Sequence, residues 1–422
     1  DIPLVVTNDI HYIDKEDSEA QLTLNCIARK TLLDDPESSA KSMGGQNRLS
    51  EWYFKSEEEM RLLFPDIPEA YENTVKIADM CNLTIHQYST TELKDCLPRF
   101  ELPENFRKHD DYAKNQDDFV RHIVDEGLKN RYPEITQEIR DRADYELGII
   151  FNMGFSGYFL IVWEFINWSK STWDEVNKKE KPYIPIGPGR GSGAGSLVAY
   201  AMGITDIDPF RFNLIFERFL NPERVSMPDF DVDMDFDYRQ DIIQHTRDLY
   251  GDPQVGHIVT FGTLKPKNCL ADVARVLNIP LATVNKVKAC IPENLKAKLK
   301  NALEPANEKF PDGGQLIPIA QDPMGTIGLQ PQVFERWMRL CKKLEGMNRN
   351  TGLHASGMVI GLTELPNWAP VFKDSKTGEV AVQYTMDIIE PCGLVKFDYL
   401  GLKTLSLIRY AESIINKHKK AG

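Results

Sequence analysis

The chain has 422 residues and a formal net charge of −13, with 42% hydrophobic and 27% charged residues. This length predicts more than one domain, and the charge counts against a protein that is basic over its whole surface, as a nonspecific DNA binder would be. No membrane span is predicted, because the longest apolar stretch, 158–163, ends at Glu164 and no signal sequence opens the chain. Seven cysteines without a Cys-x-x-Cys pair favour a reducing cytoplasm over disulfides or a zinc site.

The N-terminal part of the chain is predicted to be mainly helical. A strand at the start precedes helices that begin near Ser56 and Pro68. The polar, irregular stretch 97–111 is interpreted as a linker. Further helices are predicted over 118–131, 133–153 and 158–169, and the last of these is too apolar on all sides for a surface helix.

A Gly/Ser-rich turn follows at 187–196, with the sequence Gly-Pro-Gly-Arg-Gly-Ser-Gly-Ala-Gly-Ser. Its glycines would let backbone N–H groups converge on an anion, and the apolar helix after it would direct its positive N-terminus to the same ligand. Arg190 adds a cation suited to phosphate. A Walker A loop is excluded because no Gly-Lys-Ser/Thr follows, and the match to the dinucleotide pattern is weak. The alternative is an ordinary turn that caps a helix.

Five aspartates alternate with apolar residues across 228–237. In an extended strand the aspartates would share one face and the apolar residues the other; they are Asp229, Asp231, Asp233, Asp235 and Asp237. A face of carboxylates predicts a site for a hard divalent cation such as Mg²⁺, Mn²⁺ or Ca²⁺. An EF-hand is excluded because Met234 and Gln240 stand where it needs Gly and Glu. A solvated acidic edge strand is the alternative.

The region after this strand is predicted to be a helix over 238–250, a strand over 255–261 and a mostly helical insertion. The insertion contains helices over 266–277, 281–291 and 332–343. Between Leu264 and Lys300 there are eight basic residues and two acidic ones. Such a local excess suits contact with a DNA backbone despite the negative net charge. A solvated basic helical face is the alternative.

A second candidate strand lies at 393–401, with the sequence Gly-Leu-Val-Lys-Phe-Asp-Tyr-Leu-Gly. It places Lys396 and Asp398 on one face, either as a plain salt bridge or as a third carboxylate beside a cation for a phosphate. Two metal ions held by three carboxylates, with a triphosphate over a Gly/Ser turn, form the arrangement that nucleotidyl transfer needs.

Together these motifs resemble the C family of bacterial replicative DNA polymerases, the DNA polymerase III α subunits. The matching stretches follow the family's order over essentially the whole chain: 187–196, 216–231, 260–263, 344–346, 349–350, 354–355 and 393–398. The resemblance implies an α+β fold, with a β-type nucleotidyltransferase palm (a mixed sheet with helices), a helical thumb and the end of a polymerase-and-histidinol-phosphatase (PHP) domain. The implied boundaries are 1–98 for the PHP part, 99–259 and 351–403 for the palm, 260–350 for the thumb and 404–422 for the start of the fingers.

The resemblance also implies an active site. Asp229, Asp231 and Asp398 would be the catalytic ligands of two Mg²⁺ ions, for which Mn²⁺ could substitute, whereas Asp233 is not counted as a ligand in the family. The incoming triphosphate would meet four residues: Gly191, Ser192, Arg190 and Lys396.

Further residues are assigned by the same resemblance. Contacts with primer–template DNA would come from Lys265, Lys267, Lys286, Lys288, Arg349 and His354. Asp9 and His11 match two of the many ligands of the PHP metal site. The other ligands precede them in the family, so this site is expected to be empty or vestigial.

The leading hypothesis is therefore a DNA-directed DNA polymerase, in which a primer 3′-hydroxyl attacks the α-phosphate of a dNTP and pyrophosphate leaves. The alternatives are a DNA- or subunit-binding module that is inactive by itself, and a vestigial PHP phosphoesterase. The chain is interpreted as an excised piece that lacks the fingers, with weak or no activity alone. The implied partners are DNA, dNTP and other replicase subunits, including a sliding clamp and a proofreading subunit, and no membrane.

Overall fold

The computed structural model describes residues 2–34, 51–221, 223, 227–294 and 296–421. The fold is mixed α/β, with a mixed six-stranded sheet and many helices. The chain divides into two compact units, one formed by residues 1–84 and 261–350 and the other by residues 85–260 and 351–422.

The helices are, in chain order, α1 (Ser18–Arg29), α2 (Glu57–Leu63), α3 (Pro68–Met80), α4 (Thr90–Leu93), α5 (Tyr112–Arg131), α6 (Gln137–Met153), α7 (Ser156–Lys170), α8 (Leu197–Ala201), α9 (Arg239–Tyr250), α10 (Pro266–Val276), α11 (Leu281–Ala289), α12 (Leu299–Leu303), α13 (Ile317–Gln321), α14 (Pro323–Ile327), α15 (Pro331–Leu344), α16 (Met386–Ile389) and α17 (Lys403–Ala421). The strands are β1 (Trp173–Asp174), β2 (Lys179–Glu180), β3 (Asp231–Asp235), β4 (Val255–Thr263), β5 (Asn348–Ile360), β6 (Val371–Lys373), β7 (Val380–Val382) and β8 (Val395–Leu402). Two 3₁₀ turns border the site, at Ser192–Gly195 and Phe236–Tyr238.

In the first unit, the N-terminal helix α1 and the helical region after β4 share one hydrophobic core. Trp337 of α15 is fully buried there and donates its indole N–H to the carbonyl of Leu270 at 3.1 Å. Cys26 of α1 packs in the same core, and Arg336 Nε donates to Glu19 Oε1 at 2.6 Å. Residues that the resemblance assigns to the PHP part and to the thumb therefore share one hydrophobic core.

The strand expected at the N-terminus is not present among residues 2–11. A strand requires a continuous partner, and this stretch has only scattered contacts: the N–H of Val6 donates to the carbonyl of Ala70 and that of His11 to the carbonyl of Trp52. Tyr12 forms an isolated bridge with Tyr53. That expectation was wrong.

The second unit is built on the six-stranded sheet, with the order β3-β8-β5-β4-β7-β6. The pairs β3–β8 and β4–β7 are parallel, and the pairs β5–β8 and β6–β7 are antiparallel. On the outer side of β3 the chain at 185–187 runs alongside: Asp235 N–H donates to the carbonyl of Pro185, and Gly187 N–H donates to that of Asp233. The Gly/Ser-rich turn therefore begins at the edge of the sheet next to the acidic strand.

The core of the second unit lies between this end of the sheet and helices α5 to α8. The expectation that α7 is an internal helix is confirmed, since Phe159 and Leu160 are fully buried. Tyr158 stacks on Phe230 and on Phe397, with ring centroids 6.0 and 5.4 Å away. Its ring thus supports the acidic strand and β8 from behind.

Among the described residues no single helix is long and apolar enough to span a membrane. Only α6 and α7 taken together meet that criterion of length and composition, and they are bent by 112° at the break between them. All seven cysteines are free.

His257 of β4 generates a prediction about acid stability. Burial lowers the pKa of its imidazole to about 4, and the charges of Arg239 and Arg247 add to this while Glu379 opposes it. Because the pKa is below the ordinary 6.5, the unfolded chain binds the extra proton between pH 6.5 and 4, and the free energy of unfolding falls as the pH falls through that window. We expect His257→Gln to remove about 3 kcal/mol of this pH-dependent loss.

Urea unfolding of the wild type and His257→Gln at several pH values between 7 and 4 measures this difference. His109→Gln is the matched control, because that imidazole is largely exposed and pairs with Asp118. If the wild type and His257→Gln lose stability in parallel as the pH falls, the prediction is wrong.

Candidate active site

The parallel pairing of β3 with β8 brings the predicted carboxylates together. Asp231 and Asp398 are Cα partners in this register, so their side chains lie side by side on neighbouring strands. Asp229 precedes β3 by two residues. Lys396 joins the set, with Nζ at 3.2 Å from Asp229 Oδ2 and 2.6 Å from Asp398 Oδ2.

Arg190 links the Gly/Ser-rich turn to the same carboxylates. Its Nη2 donates to Asp231 Oδ1 at 3.0 Å, and its Nε donates to Asp233 Oδ1 at 3.1 Å. Four carboxylates are therefore gathered around two cations, Lys396 and Arg190. Asp233, which the family pattern does not count as a ligand, is engaged by Arg190.

The electrostatics of the site follow from partial burial. Burial raises the pKa of Asp229; Lys396 opposes this shift and Asp398 adds to it. Burial alone would lower the pKa of the Lys396 ammonium, but its hydrogen bond to Asp398 and the charge of Asp229 raise it. The amine is therefore held in its charged form by the carboxylates that it bridges.

The donor set fits a hard divalent cation, because carboxylate oxygens are the ligands that Mg²⁺ and Mn²⁺ prefer. In the arrangement present, however, no group of three or more His, Cys, Asp or Glu side chains in the described part of the chain stands ready to hold an ion. The ammonium of Lys396 lies between Asp229 and Asp398, and the guanidinium of Arg190 lies against Asp231. A metal ion at these carboxylates would compete with these contacts.

Ser356 of β5 is a member of the site that the sequence pattern missed. Its hydroxyl donates to Asp398 Oδ1 at 3.1 Å, and the neighbouring Gly357 is the Cα partner of Asp398. His354 accepts the N–H of Gly357 at Nδ1 over 2.7 Å, which fixes its ring against β5. The motif signal was present at His354-Ala355 and ended one residue short of Ser356.

The glycines of the turn permit its close approach to the acidic strand. Gly191 has φ 68° and ψ −156°, a conformation that residues with a side chain rarely adopt. A Cβ at Gly193 would lie 2.6 Å from the ring of Phe230, which is a clash. The chain can therefore follow this path only with glycine at these positions.

The helix after the turn does not direct its N-terminus to a ligand, so that expectation was wrong. Ser196 Oγ accepts the N–H of Ala199, and the buried carboxylate of Glu146 accepts the N–H groups of Leu197 and Val198, both at 3.1 Å. These first-turn amides of α8 are satisfied from within the protein. Glu146 lies on α6, about fifty residues earlier in the chain, and no local motif pointed to it.

The alternation of the acidic strand is also interrupted. Asp235 is fully buried and accepts from Ser406 Oγ and Arg409 Nε, each at 2.7 Å. Asp237 lies in the 3₁₀ turn after β3, where it accepts from Arg409 Nη2. Phe236, which the alternation places on the apolar face, is 49% exposed. The shared acidic face is therefore limited to Asp229, Asp231 and Asp233, because the strand ends at Asp235.

The lysines predicted to contact DNA lie in the first unit. Lys265 and Lys267 are exposed at the start of α10, and Lys286 and Lys288 lie on α11 with Lys286 exposed. In the described part of the chain none of the four forms an ion pair. Arg349 pairs with Asp272 at 3.2 Å. His354 belongs to the second unit.

Asp9 and His11 also lie in the first unit, with His11 Nε2 at 3.1 Å from Asp9 Oδ1. The imidazole stacks on Trp52 at 4.7 Å. Within the described ranges no third ligand completes a metal site with this pair.

Comparison with known proteins shows the family of the chain. Residues 118–401 match the family model described as the bacterial DNA polymerase III alpha NTPase domain. The chain is 46% identical to the DNA polymerase III subunit alpha of Treponema pallidum over 99% of its length, 44% identical to that of Borreliella burgdorferi over 98%, and 40% identical to that of Escherichia coli K12 over 99%. It covers 32%, 32% and 33% of those proteins, about a third of the length of the curated relatives.

The mixed α/β fold, with its mixed six-stranded sheet and helices, is consistent with a polymerase nucleotidyltransferase domain. The chain belongs to the family of bacterial DNA polymerase III α subunits.

The anchoring of β3 to α17 generates a second prediction. Burial alone would raise the pKa of Asp235, but hydrogen bonds from Arg409 and Ser406 hold it below its ordinary value. We expect Asp235→Asn to cost about 3 kcal/mol, because it leaves Arg409 without its buried partner. Asp237→Asn removes the exposed partner of the same guanidinium and should cost about 1 kcal/mol or less.

Chemical denaturation of the two variants and the wild type measures the comparison. Equal losses of stability in both variants would contradict the interpretation that the buried carboxylate is the anchor.

Proposed function

We propose that this chain carries the catalytic centre of a DNA-directed DNA polymerase, which adds a nucleotide from a dNTP to a primer 3′-hydroxyl. The observation that carries the proposal is the register of β3 and β8, which sets Asp231 beside Asp398, with Asp229 and Lys396 next to them. The turn at 187–196 meets the same group through Arg190. These carboxylates and the turn thus lie next to each other, which supports the proposal.

In the proposed site Asp229, Asp231 and Asp398 would hold two Mg²⁺ ions. When bound, the ions would supply activation of the attacking oxygen and stabilisation of the leaving one. Ser356 orients Asp398 by its hydrogen bond, and the ring of Tyr158 supports both strands from behind. These contacts keep the ligands in position before substrate arrives.

The turn is proposed to bind the triphosphate through backbone amides. Gly191 directly precedes the 3₁₀ turn, and Ser192 is its first residue. In the described part of the chain, the N–H groups of these two residues donate to no other residue. They are thus available to phosphate oxygens. Arg190 and Lys396 are proposed to transfer their contacts from the carboxylates to the phosphates when metal and dNTP enter.

The domain names are proposals on the same basis. The sheet and its helices, 99–259 with 351–403, are proposed as the palm, 260–350 as the thumb, 1–98 as the end of a PHP domain, and 404–422 as the start of the fingers. The proposed partners are primer–template DNA, dNTP, a sliding clamp and a proofreading subunit, in the cytoplasm. We expect the chain alone to extend a primer weakly or not at all, since it spans about a third of its relatives.

Metal binding is the most direct test. We expect Mn²⁺ to bind the wild type with an affinity that increases in the presence of dATP, and to lose this binding in Asp229→Ala/Asp231→Ala. Lys396→Met should bind Mn²⁺ at least as tightly as the wild type, because no ammonium then competes for Asp229 and Asp398. Isothermal titration calorimetry measures all three.

The matched control is Asp125→Ala/Asp141→Ala, which removes two exposed carboxylates from α5 and α6. Mn²⁺ binding that survives in Asp229→Ala/Asp231→Ala would place the metal elsewhere and contradict the proposed site.

DNA binding tests the role of the first unit. Replacing Lys265, Lys267, Lys286 and Lys288 by Gln should weaken binding of a primed duplex. It should also reduce the magnitude of the negative slope of log K against log salt concentration, by about 0.9 for each phosphate that a lysine no longer neutralises. Fluorescence anisotropy over a range of salt concentrations provides both quantities.

The control replaces four exposed lysines of the second unit by Gln: Lys129, Lys178, Lys179 and Lys376. Both variants change the net charge equally. If the two variants change the salt slope equally, only the net charge matters, and the proposed contact surface is wrong.

A further inference from the structure

Glu146 of α6 is a buried charge that the proposed chemistry does not use. Its side chain has no exposed surface. A buried carboxylate is costly unless hydrogen bonds compensate it. Glu146 has four: Oε1 accepts from Arg142 Nε at 2.6 Å and from Leu197 N–H at 3.1 Å, and Oε2 accepts from Ser196 Oγ at 2.8 Å and from Val198 N–H at 3.1 Å.

These partners favour the ionised form of the side chain. The guanidinium of Arg142 and the two amides can only donate, so both oxygens of Glu146 must accept. Burial nevertheless raises the pKa of Glu146 above its ordinary value, although the amides of Val198 and Leu197 and the guanidinium of Arg142 oppose this shift.

Arg142 and Glu146 of α6 also hold the C-terminal end of the Gly/Ser-rich turn. Arg142 Nη2 donates to the carbonyl of Gly195 at 3.3 Å, next to Ser196, which Glu146 binds. At the other end of the turn, Arg190 contacts Asp231 at 3.0 Å. The turn is therefore fixed at one end to α6 and at the other to the acidic strand.

We propose that Glu146 is a positioning residue, which fixes the turn at 191–196 so that the amides of Gly191 and Ser192 meet the triphosphate. This proposal rests on the proposed function. Glu146 acts through the backbone that it holds and does not touch the nucleotide.

The test compares Glu146→Gln with Leu147→Ala in the 422-residue chain. Gln is nearly isosteric but turns an N–H₂ group towards donors, whereas Leu147 is the adjacent buried residue of α6 and packs in the same core. Denaturation of both variants sets a measuring temperature below both transitions. Ser196→Ala, which removes one donor to Glu146, serves as a second variant if Glu146→Gln does not fold.

Three quantities are measured: amide hydrogen exchange of peptides covering 187–201 by mass spectrometry, dATP affinity and Mn²⁺ affinity by calorimetry. In Glu146→Gln we expect exchange of the turn to accelerate and dATP affinity to fall, each by about tenfold or more, with Mn²⁺ affinity unchanged. Leu147→Ala should leave dATP affinity unchanged. A fall in dATP affinity with intact Mn²⁺ binding is the signature of a displaced turn beside intact carboxylates.

The other outcomes overturn the proposal. Unchanged exchange means that Glu146 does not hold the turn. Faster exchange with unchanged dATP affinity means that Glu146 has only a structural role. Equal losses of dATP affinity in Glu146→Gln and Leu147→Ala also mean a structural role only. A wild-type chain that binds no dATP overturns the proposed function itself and the positioning role with it; the wild-type titration distinguishes this case from failure of Glu146 alone.

Discussion

The structure of the second unit depends on one constraint: two carboxylates stand side by side on neighbouring parallel strands. Asp231 of β3 and Asp398 of β8 are directly paired, although like charges in this position repel. The repulsion is offset by Lys396, which bridges Asp229 and Asp398, and by Arg190, which bridges Asp231 and Asp233. A register shift of one residue would turn these side chains to the opposite face of the sheet.

The neighbouring elements fix that register from both sides. Phe230, Val232 and Met234 alternate with the aspartates and are buried against the helices. At the end of β3, Asp235 is bound by Ser406 and Arg409 of α17. The acidic face is thus kept in place by an apolar face of period two and by a buried ion pair at its end.

The sequence predicted those parts of the candidate site that follow from the alternation of side chains along a single strand. Alternation identified Asp229, Asp231 and Asp233, and the same rule placed Lys396 beside Asp398 on another strand. It failed at Asp235 and Asp237, because a strand end depends on tertiary partners such as Arg409. The sequence also could not predict which strands pair, or the contacts of Glu146 and Ser356, because these contacts join residues distant in the chain. The choice of Asp398 as the third ligand came from family resemblance and not from geometry.

The charge balance of the candidate site connects its carboxylates, its two cations and the Gly/Ser-rich turn. Four carboxylates, Asp229, Asp231, Asp233 and Asp398, share two cations, so the group retains negative charge that can attract a divalent ion. Both cations are on long side chains, and Arg190 belongs to the Gly/Ser-rich turn, where the proposed triphosphate brings further negative charge. Under the proposed function, the cations that stabilise the carboxylates without substrate are therefore the ones best placed to meet the phosphates. On this proposal the strand pairing supplies the acids, the turn supplies the amides, and Lys396 and Arg190 move from the carboxylates to the phosphates.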